Sequence, residues 1–125
     1  MTPPTVLLDR SFLEALVARE HDAHPVVRQC YERLVNGYER HEHRLRARHD
    51  HLVALDRPAH ADLLAPVEAI HVAGQFRRQA SRLGDGYEPD VALTLVVMRR
   101  ERIDRIATLE PFFDTIDVVV ECRPD

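Results

Sequence analysis

A short apolar run near the start of the chain, Thr5-Val6-Leu7-Leu8, limits the folds that the sequence can adopt. Prolines precede the run and Asp9 follows it, and such a bounded apolar segment is typical of a buried strand in a parallel sheet. Helical spacing of apolar residues continues to about residue 20, with Ser11 as a candidate N-cap and Glu14 completing a capping box. A buried strand that leads directly into a helix predicts an α/β fold.

The rest of the chain alternates between helical and extended patterns. We expect helices at 24–37, 51–55, 62–83 and from residue 90 onward, and strands at 44–49, 103–109 and 115–121. Asp90 is the natural N-cap of the last, very apolar helix. The order of strand, helices, strand, helices, strand, strand predicts a three-layer α/β/α sandwich with a mainly parallel central sheet.

Composition narrows the class of protein. A chain of 125 residues, 45% hydrophobic and 30% charged, is expected to form a single domain, 1–125. The net charge of −4 argues against nucleic-acid binding through overall charge, although the 17 basic residues, all arginine, allow a local basic groove. Cys30 and Cys122 form no CxxC pair. We therefore expect a reduced, cytoplasmic protein with no membrane segment.

Four acidic residues follow the predicted strands closely. Asp9 comes directly after the first strand and Glu110 directly after the third. Asp90 begins the apolar helix, and Asp56 lies in the short helix after the second strand. Ligands of open parallel sheets bind at the carboxyl ends of the strands. Carboxylates gathered there repel one another unless a cation neutralises them, and oxygen ligands suit Mg²⁺ or Mn²⁺.

Ordinary structural interpretations of the same residues remain open. Asp90 can serve only as a helix cap, Glu110 as part of a solvated turn and Asp9 as an exposed acid at a strand end. Ser11 can cap a helix or contact a phosphate or a metal-bound water. The stretches His41-Glu42-His43 and His49-Asp50-His51 are interpreted first as a solvated, charged surface, with an RNA or partner contact and a transition-metal site as alternatives.

Three segments, taken in order, resemble the motifs of PIN domains. The segment Val6–Leu16 resembles their first motif, an apolar strand followed by an Asp, a small hydroxyl residue and an apolar helix. Glu88–Leu95 resembles their third acidic motif. Arg102–Phe113 resembles the closing strand, which leads into a Thr, any residue and an Asp, with a Phe nearby; Glu110 stands here in the place of that Asp.

The resemblance implies a function. PIN domains are commonly metal-dependent ribonucleases, and many are VapC-type toxins of bacterial toxin–antitoxin pairs. It implies hydrolysis of RNA phosphodiester bonds with Mg²⁺ or Mn²⁺, an antitoxin partner and a homodimer. The alternative is a catalytically degenerate PIN-like protein that acts as a protein- or RNA-binding module.

The resemblance also implies roles for individual residues. Asp9, Asp90 and Glu110 are expected to be metal ligands and catalytic residues. The segment 49–56 fits the remaining acidic motif best, with Asp56 as the first choice and Asp50 as the second. Glu42, before this segment, is a third choice. Contacts with the substrate are expected from Arg10, Ser11 and Thr108.

Overall fold

A five-stranded, entirely parallel sheet organises the computed structural model, which describes residues 2–84 and 86–122. Its strands are β1 (Thr5–Leu8), β2 (Arg44–Arg48), β3 (Val67–Ile70), β4 (Arg105–Ala107) and β5 (Val119–Glu121). They lie in the order β3-β2-β1-β4-β5. The chain therefore adds β2 and β3 on one side of β1 and then β4 and β5 on the other side. The topological switch point consequently lies between β1 and β4.

Helices cover both faces of this sheet. They are α1 (Arg10–Val17), α2 (His24–Glu39), α3 (His49–Ala54), α4 (Ala61–Leu64), α5 (Gly74–Arg82) and α6 (Pro89–Glu101), and short 3-10 helices span Pro58–His60 and Pro111–Thr115. Buried residues of α1 and α2 form one core with the sheet, and buried residues of α6 form a second core on the other face. The predicted three-layer α/β/α sandwich is confirmed.

The first strand shows why its sequence is apolar at every position. Val6 and Leu8 pack into the core beneath α1 and α2, whereas Leu7 packs into the core beneath α6. All three side chains are at most 1% exposed. A strand with helices on both sides needs apolar residues on both faces, and this is the pattern from which the strand was predicted.

The prediction of a mostly helical segment from 62 to 83, with Ala73-Gly74 as a candidate break between two helices, is wrong for residues 67–70. Val67–Ile70 forms β3, which pairs with β2 in parallel, and helix resumes only at Gly74. The apolar residues before and within this segment have helical spacing, which suggested a helix. The helix α4 ends at Leu64, and Pro66, which lacks a backbone N–H, cannot continue its hydrogen bonds.

Both predicted helix caps are also corrected. Ser11 lies inside α1, and α1 begins after Asp9 without a side-chain cap. Glu88 caps α6, since its carboxylate accepts a hydrogen bond of 3.1 Å from the backbone N–H of Val91. Asp90 is therefore the second residue of α6 rather than its cap. The side chains of Ser11 and Asp90 are consequently available for other contacts.

The strand predicted at 115–121 is shorter than expected. A 3-10 helix occupies Pro111–Thr115, and β5 covers only Val119–Glu121. Pro111 begins this 3-10 helix, and the side chain of Glu110 accepts a hydrogen bond from the backbone N–H of Phe112. Local capping by the side chain of Glu110 therefore favours the 3-10 turn immediately after β4.

The expectation of two reduced cysteines is wrong. Cys30 of α2 and Cys122, which follows β5, form a disulfide, with their Cα atoms 5.7 Å apart. Because 92 positions separate them, no local sequence pattern indicates the pairing. In the chain-entropy model, closing a loop of that length stabilises the folded state by about 4–5 kcal/mol.

Among the described residues, no helix has both the length and the hydropathy needed to cross a membrane.

Candidate functional site

The carboxyl ends of β1 and β4 lie side by side at the switch point. Asp9 directly follows β1, and its backbone N–H donates to the carbonyl of Ala107 at the end of β4 (3.0 Å). Its side chain is buried, at 6% exposure. Asp9 Oδ2 accepts hydrogen bonds from the hydroxyls of Thr108 (2.7 Å) and Ser11 (3.1 Å). The carboxylate is thus fixed by two neutral donors.

Backbone contacts orient these two hydroxyls. The backbone N–H of Leu109 donates to Ser11 Oγ, and that of Glu110 donates to Thr108 Oγ1, each at 2.9 Å. Since each hydroxyl oxygen accepts from the backbone, its own proton is directed toward Asp9. The loop after β4 therefore holds the carboxylate of Asp9 without adding a positive charge.

Glu110 lies at the same edge of the sheet. It follows Thr108 by two residues and is partly buried. Its Oε1 accepts from the backbone N–H of Phe112 at 3.3 Å. Thr108 therefore links the carboxylate of Asp9 to the backbone N–H of Glu110, whereas the carboxylate of Glu110 bonds to Phe112.

A second acidic centre is built around Asp90 at the start of α6. Asp90 Oδ1 lies 3.1 Å from His51 Nε2 and 3.1 Å from Arg48 Nη1. Asp90 Oδ2 lies 3.7 Å from Nε of Arg10, the residue after Asp9. Arg10 therefore connects this centre to the end of β1.

Arg48, the last residue of β2, organises this centre. Its side chain is only 2% exposed. The guanidinium donates to both carboxylate oxygens of Asp50, at 3.1 and 2.5 Å, and to Thr94 Oγ1 at 2.9 Å. It also donates to the backbone carbonyl of Asp90 at 3.1 Å. These bonds tie the start of α3 to the start of α6 and satisfy a buried charge that would otherwise be costly.

The charges around the two aspartates favour their ionised forms. Burial alone would raise the pKa of Asp90, but the hydrogen bond from His51 and the charges of Arg48, His51 and Arg10 outweigh it and lower the pKa to about 2. Burial likewise opposes ionisation of Asp50, yet the hydrogen bonds and charge of Arg48 lower its pKa. Both carboxylates are therefore ionised at neutral pH.

Asp50, His51 and Asp90 also have the arrangement of metal ligands. One potential ligand atom from each lies within 4.8 Å of the other two. His51 is 5% exposed, and its Nδ1 is buried without a hydrogen-bond partner. Two carboxylates and an imidazole at these separations fit a divalent cation that accepts both oxygen and nitrogen ligands.

Comparisons with known proteins identify a solved structure with a similar fold. No protein-family model matches the chain, and no curated protein matches its sequence. Among solved structures, the chain is similar to VapC20 of Mycobacterium tuberculosis, described as a sarcin–ricin loop cleaving toxin. The match covers 91% of this chain and 96% of that one at 17% identity, with a TM-score of 0.65. The chain has a PIN-like fold.

Within this PIN-like fold, the predicted acids lie in different surroundings. Asp9 follows β1 and is hydrogen-bonded to Thr108 of the loop after β4, which also contains Glu110. Asp90 contacts Arg10, the residue after Asp9. Asp56 is exposed just beyond α3, where it lines a separate pocket that includes His60. Its role in catalysis stays a prediction.

The other two candidates for the remaining acid also differ from one another. Asp50 adjoins Asp90 and His51 in the group described above. Glu42 is exposed after α2, with its carboxylate 3.8 Å from Arg40. Of the two, only Asp50 belongs to the potential metal-ligand group, and both roles stay predictions.

Sequence reasoning missed two buried residues of the candidate site, Arg48 and His51. The interpretation of segment 41–51 as a solvated surface is wrong for His51 and also for His43, since both are buried. Arg48 was not singled out, because arginine usually indicates a solvated surface. The available signal was the His49-Asp50-His51 pattern, for which a transition-metal site was one alternative.

Proposed function

We propose that this chain is a metal-dependent ribonuclease that hydrolyses RNA phosphodiester bonds. The observation that carries the proposal is the pair of fixed carboxylates, Asp9 and Asp90, near the switch point of a parallel sheet, where ligands of such sheets bind. The PIN-like fold, shared with a toxin that cleaves the sarcin–ricin loop, supports an RNA substrate.

The metal-binding part of the proposal assigns Asp9, Asp90 and Glu110 as ligands of Mg²⁺ or Mn²⁺, directly or through water. Asp50 is favoured over Asp56 for the remaining position because it adjoins Asp90. When bound, a divalent ion lowers the pKa of a coordinated water and stabilises negative charge on the phosphate.

The residues around these acids orient the carboxylates and provide groups for binding the substrate. Ser11 and Thr108 hold the carboxylate of Asp9 in one orientation, which keeps its charge available to a cation. The side chain of Arg10 is 52% exposed beside Asp90. Its guanidinium is suited to hold a phosphate of the RNA next to the acids. Ser11, which is partly exposed beside Asp9, is placed to contact the same phosphate, whereas Thr108 is 1% exposed and serves to position Asp9.

The biological part of the proposal is a toxin role. We propose a cytoplasmic RNA substrate, an antitoxin partner that restrains the enzyme, and a homodimer. Expression in a bacterial host is expected to arrest growth, and Asp9→Asn is expected to remove the arrest at equal protein levels. Arrest that persists with Asp9→Asn would contradict the toxin role.

The charges around Asp90 support one alternative. Arg48 and Arg10 partly neutralise its carboxylate, which is the arrangement expected if the site has lost its metal and the protein only binds RNA or a partner protein. RNA cleavage distinguishes the two functions.

The experiment is cleavage of a mixed RNA substrate with Mg²⁺ or Mn²⁺, comparing the natural chain with Asp9→Asn and with an EDTA control. We expect both to abolish cleavage. Asp104→Asn is the matched control, because this exposed acid precedes β4 and lies at the opposite edge of the sheet. A folded natural chain that does not cleave, or cleavage indifferent to Asp9, would favour the binding module.

A further inference from the structure

A cavity lies between α5 and the start of α6, apart from the acidic residues of the candidate site. Its volume is about 490 Å³, within the range of about 300–1,000 Å³ that is typical of pockets for small ligands. Its lining includes Arg77, Ala80, Ser81, Tyr87, Ala92 and Leu93, and none of the described residues that line it is acidic. The cavity is therefore large enough for an organic group and does not repel an anionic one.

The lining has an apolar interior and a polar rim. Ala92 and Leu93 are buried, whereas Arg77 and Ser81 are exposed. The hydroxyl of Ser81 donates to the backbone carbonyl of Arg77 at 3.1 Å, so its oxygen can still accept a hydrogen bond. A nucleobase has flat faces that stack and an edge that forms hydrogen bonds, and this lining matches both features.

Tyr87 gives the cavity one aromatic wall. Its ring is half-buried and meets the ring of Phe112 edge to face, with the centroids 5.5 Å apart and the planes at 75°. Phe112 packs in the same way on the fully buried Phe113. The backbone N–H of Phe112 donates to Glu110, so the packing that holds Tyr87 also connects the cavity to the loop of the acidic site.

Exposed arginines extend from the cavity along the two helices. They lie on α5 and at or just after the end of α6: Arg77, Arg78, Arg82, Arg99, Arg100 and Arg102. The two groups belong to one surface, because the guanidinium of Arg100 lies over the ring of Phe76 at 5.5 Å. α5 contains no acidic residue, and Glu101 of α6 is paired with Arg46. Positive charge is therefore concentrated here although the whole chain has a net charge of −4.

An aromatic ring beside arginines is the combination with which proteins bind single-stranded nucleic acid. Arginines bind phosphates whatever the sequence, whereas an aromatic side chain stacks against a base that is not paired. In a duplex the bases are stacked on one another and cannot enter such a cavity. The surface therefore fits single-stranded RNA better than a duplex.

We propose that the cavity between α5 and α6 binds one unpaired nucleobase of single-stranded RNA, stacked on Tyr87, with an adjoining phosphate on Arg77. The role of this base site in cleavage rests on the proposed ribonuclease function. The binding itself is measured without cleavage.

The test is fluorescence anisotropy of a short labelled single-stranded RNA in EDTA, which prevents metal-dependent cleavage. The second probe is an oligonucleotide of the same length and charge in which stable abasic spacers replace the bases. The natural chain is expected to bind the RNA about tenfold or more tightly than the abasic probe, because stacking contributes only to the RNA. Equal affinity for the two probes would overturn the proposal.

Variants of Tyr87 identify the stacking ring. Tyr87→Leu is expected to remove most of the preference for the RNA, and Tyr87→Phe, which keeps the ring, to preserve it. Tyr38→Leu is the matched control, because Tyr38 is also half-buried but lies on α2 at the other face of the sheet. A preference that survives in folded Tyr87→Leu would overturn the proposal.

Arg77 is tested by the salt dependence of binding. Arg77→Gln is expected to weaken both probes about equally and to reduce the slope of log affinity against log salt by about 0.7, the value for one phosphate on a single strand. Arg33→Gln, at an exposed position on α2, is the control and is expected to leave the slope unchanged. An unchanged slope in Arg77→Gln would overturn the phosphate contact.

The outcome is separable from that of the proposed function. RNA cleavage that depends on Asp9, together with equal binding of both probes, would support the ribonuclease and overturn the base site. Base-dependent binding that is lost in Tyr87→Leu, without cleavage by the natural chain, would support the base site and contradict the ribonuclease. A changed oligomeric state of Tyr87→Leu in sedimentation, with RNA binding intact, would overturn the base site and assign the cavity to a contact between copies of the chain.

Discussion

Asp9, directly after β1, and Asp90, at the start of α6, are held by opposite means. Asp9 accepts hydrogen bonds from the neutral hydroxyls of Ser11 and Thr108. Asp90 contacts the guanidinium groups of Arg48 and Arg10 and the ring of His51. One carboxylate is fixed by neutral dipoles, and the other is fixed mainly by charges.

The difference determines what each carboxylate can contribute. Hydroxyl donors orient Asp9 but leave its negative charge in place, so Asp9 is the stronger attraction for a cation. Arg48 stabilises Asp90 and compensates part of its charge, so Asp90 contributes mainly a fixed position. Stability is therefore expected to depend mainly on the surroundings of Asp90, and metal affinity mainly on Asp9.

The largest effect on stability is expected from Arg48→Met. The substitution leaves the carboxylates of Asp50 and Asp90 without their shared cation. Because these side chains are 35% and 21% exposed, we expect a loss of about 2–4 kcal/mol, below the roughly 3–5 kcal/mol typical of fully buried pairs. Chemical denaturation measures the change.

Arg44→Met is the matched control for that substitution. Arg44 lies on the same strand but forms an exposed ion pair with Glu68. Exposed pairs contribute about 1 kcal/mol or less, so only a small loss is expected. Equal losses for Arg44→Met and Arg48→Met would contradict the distinction between a structural and a surface arginine.

The next largest effect is the loss of stability at acidic pH that arises from protonation of Asp90. Its pKa in the folded protein is about 2, below the ordinary 3.8, so its contribution is complete above the ordinary value and is lost as pH falls toward 2. We expect the unfolding free energy to decrease by on the order of 1–2 kcal/mol from this residue across that range. Asp90→Asn is expected to flatten the dependence in denaturation curves at several pH values, and Asp104→Asn to preserve it. An equally steep curve for Asp90→Asn would be evidence against the charge network.

Thr108→Val is expected to affect activity more than stability. Loss of its hydroxyl removes the 2.7 Å bond to Asp9 and costs about 1–2 kcal/mol. Misplacement of Asp9 is expected to slow RNA cleavage by about 10- to 100-fold. Thr115→Val, which removes an exposed hydroxyl bonded to the carbonyl of Phe112, is the control and should leave cleavage intact. Normal cleavage by Thr108→Val would show that Asp9 needs no such support.

The smallest effect is expected from Ser11→Ala. Its bond to Asp9 is longer, at 3.1 Å, and Thr108 still holds the same oxygen. We expect a loss of about 0.5–1 kcal/mol in thermal or chemical unfolding. A loss larger than that of Thr108→Val would reverse the order of the two hydroxyls.

The predictions that succeeded from sequence rest on local chemistry. The uniformly apolar β1 and the acid directly after it follow from the requirements of a buried parallel strand. Those features predict Asp9 at the carboxyl end of β1, and in the structure it lies there, beside the end of β4. Glu110 was predicted in the same way, as the acid after the strand expected at 103–109; β4 is shorter and ends at Ala107, so Glu110 lies in the loop that follows it.

The features that sequence reasoning missed depend on contacts between distant segments. Arg48 is buried because residues of α3 and α6 surround it, and nothing beside it in the sequence shows this. The Cys30–Cys122 disulfide likewise depends on the packing that brings α2 close to the residue after β5. The strand Val67–Ile70 was hidden because four residues can fit the spacing of either a helix or a strand.

The most direct test of the central claim is a cleavage cycle with Asp9→Asn, Asp90→Asn and the double variant, measured on one RNA with saturating Mn²⁺. If the two differently supported carboxylates serve one metal site, each single variant is expected to lose most of the activity, and the double variant to lose little more. Losses that multiply in the double variant, or full activity in either single variant, would contradict a shared site.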